Sequence, residues 1–143
     1  MSDRTRTVLR VGLGYLAAIG LLVGLWAGLA PRSFYEDFPG LGRVWVAVDG
    51  PFNEHLVRDV GWLNLALTVA TVWAAVTLGR TLVVAVLVAW LVMSLPHLAY
   101  HLGHLDGLAT SDRVGELASL ALVPLVAAAL LAVVVRTRPH AVP

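Results

Sequence analysis

Hydrophobic residues are gathered into four long runs along the chain, and polar residues lie almost entirely between these runs. The four runs are Val8–Ala30, Val57–Leu78, Leu82–Leu102 and Val114–Val135. Each is long enough to supply the roughly 20 residues that a helix needs to cross the hydrocarbon core of a bilayer. Lipid offers no water to backbone groups, so such runs must be helical. The pattern therefore predicts an all-α bundle of four transmembrane helices.

The residues that flank the runs predict where the helices begin and end. Pro31 should end the first helix and Gly79 should cap the second, while Ser111 and Asp112 are natural N-cap residues for the fourth. Only three residues separate the second run from the third, which predicts a tight antiparallel hairpin. We expect residues 1–143 to form a single integral membrane domain of up-down topology, with one sizeable loop over residues 31–56.

Glycine recurs at four-residue spacing in the first run, at Gly20, Gly24 and Gly28. Small residues four apart form a stripe on one side of a helix, and such a stripe lets a neighbouring helix approach closely inside a membrane. We therefore expect the first span to pack tightly against another span along these three glycines.

Arginine is distributed unevenly between the two ends of this bundle, and the chain has no lysine. The end that carries the termini and the hairpin turn has one acid, Asp3, and six arginines: Arg4, Arg6, Arg10, Arg80, Arg136 and Arg138. The other end has four arginines and eight acids. Positive residues favour the cytoplasmic side. The count predicts a multi-pass protein of the cell membrane with both termini in the cytoplasm and residues 31–56 outside.

Composition narrows the chemistry that this bundle can carry. Charged residues make up 13% of the chain, against about 25% in a typical soluble domain. The net charge is only +1 and no basic tract is present, so the lipid bilayer is the expected partner and nucleic acid is not. Cysteine is absent, which excludes disulfides, thiolate nucleophiles and iron–sulfur clusters. A metal ion would have to be held by imidazole, carboxylate or backbone oxygen.

Three histidines, His97, His101 and His104, lie at the C-terminal end of the third run. On a helix they fall within about 60° of arc, so they stand one above another on a single face. The helix rises by about 10 Å between the first and the last of them. Ionisable groups at this depth are costly and usually face a partner or a cavity.

Further polar residues begin the second and fourth runs, at the same end of the bundle. His55 and Asp59 are four residues apart at the start of the second run, and Glu116 lies in the first turns of the fourth. Because the start of one span meets the end of its antiparallel neighbour, all these side chains should lie at one membrane face. This convergence is the strongest functional signal in the sequence.

The cluster predicts a site for a transition metal ion. We take His55, Asp59, His97, His101, His104 and Glu116 as candidate ligands or proton carriers. Imidazole with carboxylate suits zinc, iron or copper, and histidines three or four residues apart on a helix can chelate one ion jointly. Such a protein could be a small oxidoreductase that acts on a lipophilic substrate or a quinone.

Three other interpretations stay open at this stage. The cluster could be a structural polar rim in a non-catalytic accessory subunit of a respiratory or redox membrane complex, or in a homo-oligomer. Alternatively, histidines on paired helices could bind haem, although only His55 lies across from the group on the third span. A transporter or channel is the least favoured, because the polar residues stop near one face.

The loop over residues 31–56 carries an unusual number of aromatic side chains among acids and glycines: Phe34, Tyr35, Phe38, Trp45 and Phe52. Residues 43–48 have the composition of a short extended segment. Aromatic residues favour the headgroup layer, so the loop could anchor in the membrane interface. It could equally fold over the polar cluster as a lid.

Two stretches of the chain, SFYEDFPG (Ser33–Gly40) and GPFNEHLVRDVG (Gly50–Gly61), resemble small membrane proteins of actinobacteria. In layout the whole chain is similar to the DoxX-like four-helix group. This resemblance implies a four-helix bundle and, for some members, association with respiratory or redox partners at the membrane. It carries no site pattern that transfers to individual residues of this chain.

Overall fold

The computed structural model describes residues 1–136, in which helices predominate. The helices are α1 (Asp3–Leu29), α2 (Pro31–Asp37), α3 (Glu54–Thr77), α4 (Arg80–Leu102) and α5 (Thr110–Arg136). Between α2 and α3 lie two short antiparallel strands, β1 (Pro39–Gly40) and β2 (Arg43–Val44), and a 3₁₀ turn over Ala47–Asp49. Arg138 lies outside the described residues.

The all-α four-helix prediction is confirmed. Helices α1, α3, α4 and α5 are each long and apolar enough to cross a membrane. Large apolar side chains on all four stay exposed, among them Val11, Leu63, Val92 and Leu125 at 65–70%. In water such surfaces would drive aggregation, whereas in a bilayer they face lipid tails. The protein is therefore a multi-pass membrane protein.

The helix ends differ from the prediction in three places. Leu78, and not Gly79, takes the left-handed conformation that ends α3, with φ of 53°, while Gly79 is the N-cap of α4. Helix α5 already begins at Thr110, so Ser111 and Asp112 lie in its first turn and do not cap it. The predicted loop also contains a helix, since Pro31 ends α1 and at once begins α2.

The glycine stripe of α1 packs against α3, as the four-residue spacing predicts. A Cβ atom added at Gly24 would lie 2.7 Å from the Leu65 side chain, and one added at Gly28 would lie 3.4 Å from Trp62. The closest approach involves a glycine of α3, Gly61, whose added Cβ would lie 2.7 Å from the Gly28 Cα atom. The two backbones are therefore in direct contact near the end of α1.

The apolar core occupies the half of the bundle that contains the termini. It consists of side chains from all four spans: Leu9, Leu13, Leu16, Ala74, Val83, Val86, Leu87, Trp90, Val123, Ala127, Leu130 and Val134. At its edge the buried Trp90 donates from Nε1 to the Thr71 hydroxyl at 3.0 Å, so the indole nitrogen is satisfied away from water. Beyond this bond, towards the other end of the bundle, one face of α4 carries polar side chains.

Candidate functional site

A buried histidine–glutamate pair joins α4 to α5 at the end of the bundle away from the termini. Glu116 is only 4% exposed, and its Oε1 atom lies 3.1 Å from Nδ1 of His101, whose side chain is 14% exposed. The second carboxylate oxygen, Oε2, is buried and has no hydrogen-bond partner among the described residues. A buried acceptor without a donor is costly, so Glu116 has one acceptor atom whose burial is uncompensated among the described residues.

His97 continues the site along α4. Its ring meets the His101 ring edge to face, with centroids 4.7 Å apart. Trp90, Ser94, His97 and His101 follow one another on a single helix face. Along this face burial falls off, from Trp90 at 1% and Ser94 at 4% to an exposed His97. This face of α4 therefore extends from the apolar core to the His101–Glu116 pair. The His97 side chain on it is accessible from outside the bundle.

His104 lies two residues beyond the end of α4 and so does not share the helix face predicted for it with His97 and His101; it takes part in a separate arrangement. Its ring stacks on Tyr100 with centroids 3.9 Å apart, and its Nδ1 atom lies 2.8 Å from the Tyr100 carbonyl oxygen. The Tyr100 hydroxyl in turn donates to Asp49 of the 3₁₀ turn at 3.2 Å. This stack connects the end of α4 to the loop that precedes α3.

Residues 38–49 fold over the start of α5, and we refer to them as the lid. Trp45 donates from Nε1 to Oδ1 of Asp112 at 2.9 Å, and Arg43 forms a salt bridge with the same carboxylate oxygen. The Trp45 ring would lie 3.2 Å from a Cβ atom added at Gly115, one residue before Glu116. Of the two predicted roles for the loop, these contacts favour the lid.

His55 and Asp59 lie apart from this group. Their side chains form an i,i+4 pair at 3.4 Å on the surface of α3, with 87% and 50% of their areas exposed. Gly61 and Leu65 face α1, which turns His55 and Asp59 to a different side of α3. These exposures leave both side chains on the surface of the bundle.

Of the six predicted site residues, the structure brings His97, His101 and Glu116 together. Among residues 1–136 it places no three histidine, aspartate or glutamate side chains in an arrangement that could hold a metal ion as they stand. The lid prediction included Trp45, but the sequence interpretation missed Arg43 and Asp49 as neighbours of the site. The available signal was an arginine and an acid on either side of Trp45 in this aromatic-rich loop.

Comparison with known proteins adds no family to this description. No protein-family model, curated protein or solved structure matches the chain. The similarity to the DoxX-like group stays a prediction.

Proposed function

We propose that this chain is a metal-binding membrane protein whose ion is held by His97, His101 and Glu116. One observation carries the proposal: a carboxylate that is 96% buried has one oxygen on a histidine and the other without a partner. An ionised carboxylate in so buried a position needs a compensating positive charge, and a neutral His101 does not supply one. A metal ion beside Glu116 would supply that charge and would also give the second oxygen a partner.

The spacing of the donors suits a shared ion. Two donor atoms bound about 2.0–2.2 Å from one ion lie about 2.8–3.1 Å apart at octahedral angles and about 3.3–3.6 Å apart at tetrahedral angles, and the His101–Glu116 separation is 3.1 Å. Two imidazoles on one ion have ring centroids about 4.5–4.7 Å apart at octahedral angles, and the His97–His101 separation is 4.7 Å. A rotation of the His97 ring could therefore complete a three-ligand set.

The donor types favour zinc or iron. Two histidines and one carboxylate form the ligand set of catalytic zinc sites and of non-haem iron oxygenases. Copper also accepts imidazole ligands. With iron or copper the site could run the predicted oxidoreductase chemistry on a lipophilic substrate or quinone, and the exposed side of His97 would be its approach. Zinc has no redox chemistry of its own and would act as a Lewis acid or as a structural ion.

A second candidate is a non-catalytic accessory subunit, in which the polar cluster is structural. It is favoured because no three histidine, aspartate or glutamate side chains among residues 1–136 are placed to hold a metal ion. In such a subunit the His101–Glu116 pair would serve only to hold α4 against α5. Haem is less favoured than either. Of the four described histidines, His97 and His101 lie on α4 and His104 lies just beyond its end, while His55 is paired with Asp59 on the surface.

We expect wild-type protein, purified in mild detergent, to retain about one zinc or iron ion per chain. Glu116→Gln and His101→Ala should each lose most of it, whereas His55→Ala should keep it, because the exposed pair lies outside the proposed set. Elemental analysis with an optical spectrum measures this. Equal metal content in all four proteins would reject the ligand set, absence of metal from the wild type would favour the accessory subunit, and a Soret band would indicate haem.

We also place the site on the outer side of the cell membrane, as the arginine count predicts. The chain has no cysteine, so single cysteines can report the orientation. Leu41 is fully exposed at the tip of the lid, and Ser2 precedes α1 at the other end. In intact cells an impermeant maleimide should label Leu41→Cys and spare Ser2→Cys. The opposite labelling pattern would place the site in the cytoplasm.

A further inference from the structure

The end of the bundle opposite the candidate site carries exposed arginines from three helices. They are Arg4, Arg6 and Arg10 at the start of α1, Arg80 at the start of α4 and Arg136 at the end of α5. Arg80 donates to the carbonyl oxygen of Val135 at 3.5 Å. This bond brings the first turn of α4 beside the last turn of α5.

The register between α1 and α3 brings the α1 arginines to the same place. Gly28 lies against Gly61 and Gly24 against Leu65, so four residues back along α1 correspond to four residues forward along α3. Continued to the end of α3, this register sets Arg10 level with the turn that precedes Arg80. Arg6 and Arg10 also lie about five helical turns before Gly24 and Gly28, on the same side of α1.

These arginines lack acidic partners, unlike those at the other end. Within residues 1–136, Arg4, Arg6, Arg10, Arg80 and Arg136 form no salt bridge, and one acid, Asp3, lies near them in the sequence. At the opposite end, Arg32, Arg43 and Arg58 each pair with a carboxylate. Arg113 there donates to the carbonyl oxygen of Leu108. Among the described residues, the arginines at the end that carries the termini thus lack carboxylate partners, whereas three of the four at the other end have one.

We propose that Arg6, Arg10 and Arg80 bind the phosphate groups of anionic phospholipids. Guanidinium groups bind phosphate through two parallel hydrogen bonds, and basic residues beside a membrane span attract anionic headgroups. The neighbouring Val8 and Val11 are 43% and 69% exposed. Apolar surface next to the arginines can contact the acyl chains of a lipid, whereas a soluble phosphate has no apolar part to contact it.

The test is lipid binding to the intact chain, measured by native mass spectrometry from detergent. Phosphatidylglycerol is titrated against phosphatidylcholine, with inorganic phosphate as a third arm. We expect phosphatidylglycerol to bind about tenfold or more tightly than phosphatidylcholine, and each arginine removed to cost about fivefold. Arg10→Gln and the double variant Arg6→Gln/Arg10→Gln should therefore weaken phosphatidylglycerol binding in steps. Arg32→Gln, at the other end, should not weaken it.

Equal retention of the two lipids by the wild-type protein would overturn the proposal without any variant. So would an equal loss in Arg10→Gln and Arg32→Gln, since it would reflect net charge alone. Inorganic phosphate that displaces phosphatidylglycerol at equal concentration would show that the arginines recognise the bare anion and not a lipid.

Discussion

Replacing His101 by alanine should lower the free energy of unfolding by about 1–3 kcal/mol, the usual cost of leaving a buried polar group without its hydrogen-bond partner, and by more if Glu116 is ionised. Glu116 is 4% exposed, and its one hydrogen-bonded oxygen depends on His101. Without the imidazole, both carboxylate oxygens would lack a partner while α5 still holds them between the helices. A loss of this size is larger than that caused by most surface substitutions.

Thermal unfolding in detergent, after treatment with a chelator, measures the contribution of the pair apart from that of any bound ion. His55→Ala is the matched control, because it removes one member of an exposed His–Asp pair, and exposed pairs contribute about 0–1 kcal/mol. The double variant His101→Leu/Glu116→Leu should recover most of the loss, since an apolar pair needs no charge compensation. A large loss that persists in the double variant would mean that packing, and not the His101–Glu116 pair, holds α4 to α5.

The second large effect is expected at Gly61. Valine there would place a Cβ atom 2.7 Å from the Gly28 Cα atom and 2.9 Å from the carbonyl carbon of Ala27. Backbone atoms cannot rotate away as side chains can, so α1 and α3 would have to separate. Overpacking of this kind costs about 1–3 kcal/mol or more, and the gap would break contacts along the whole glycine stripe.

The matched control is Gly14→Val in α1, where an added Cβ would meet nothing within 4 Å. Both variants exchange a helical glycine for the same residue, so intrinsic helix preference cancels between them. The difference in unfolding temperature then reports the close approach of α1 and α3. Equal unfolding temperatures would show that the two helices are not in contact at Gly61 in the detergent-bound protein.

The four spans could be predicted because apolar runs of this length have one structural solution in lipid. The helices extend beyond the runs by several residues, as at Asp3 and Thr110, because polar residues can continue a helix into the headgroup layer. Gly20, Gly24 and Gly28 revealed the α1 stripe by their spacing. Gly61 stands alone in its span, so no pattern indicated that the closest backbone contact would form there.

The site was predictable in composition but not in grouping. Periodicity showed that His97 and His101 share a face, yet it could not show which side of α3 faces the bundle. That orientation is set by Gly61 against Gly28, and it turns His55 and Asp59 outwards. The contact between Trp45 and Asp112 spans 67 residues of chain and involves a loop without regular spacing, so local patterns carry no information about it.

The lid contact has a consequence for the order in which the protein is made. Trp45 leaves the ribosome 67 residues ahead of Asp112, a delay of about 3–13 s at ordinary rates of about 5–20 residues per second. During that interval α1 and α3 can already associate, whereas the lid has nothing to close on. Glu116 arrives later still, in the last span to be synthesised. A chain interrupted after α4 would therefore insert into the bilayer with its histidines exposed and with neither the carboxylate nor the cover of the finished site.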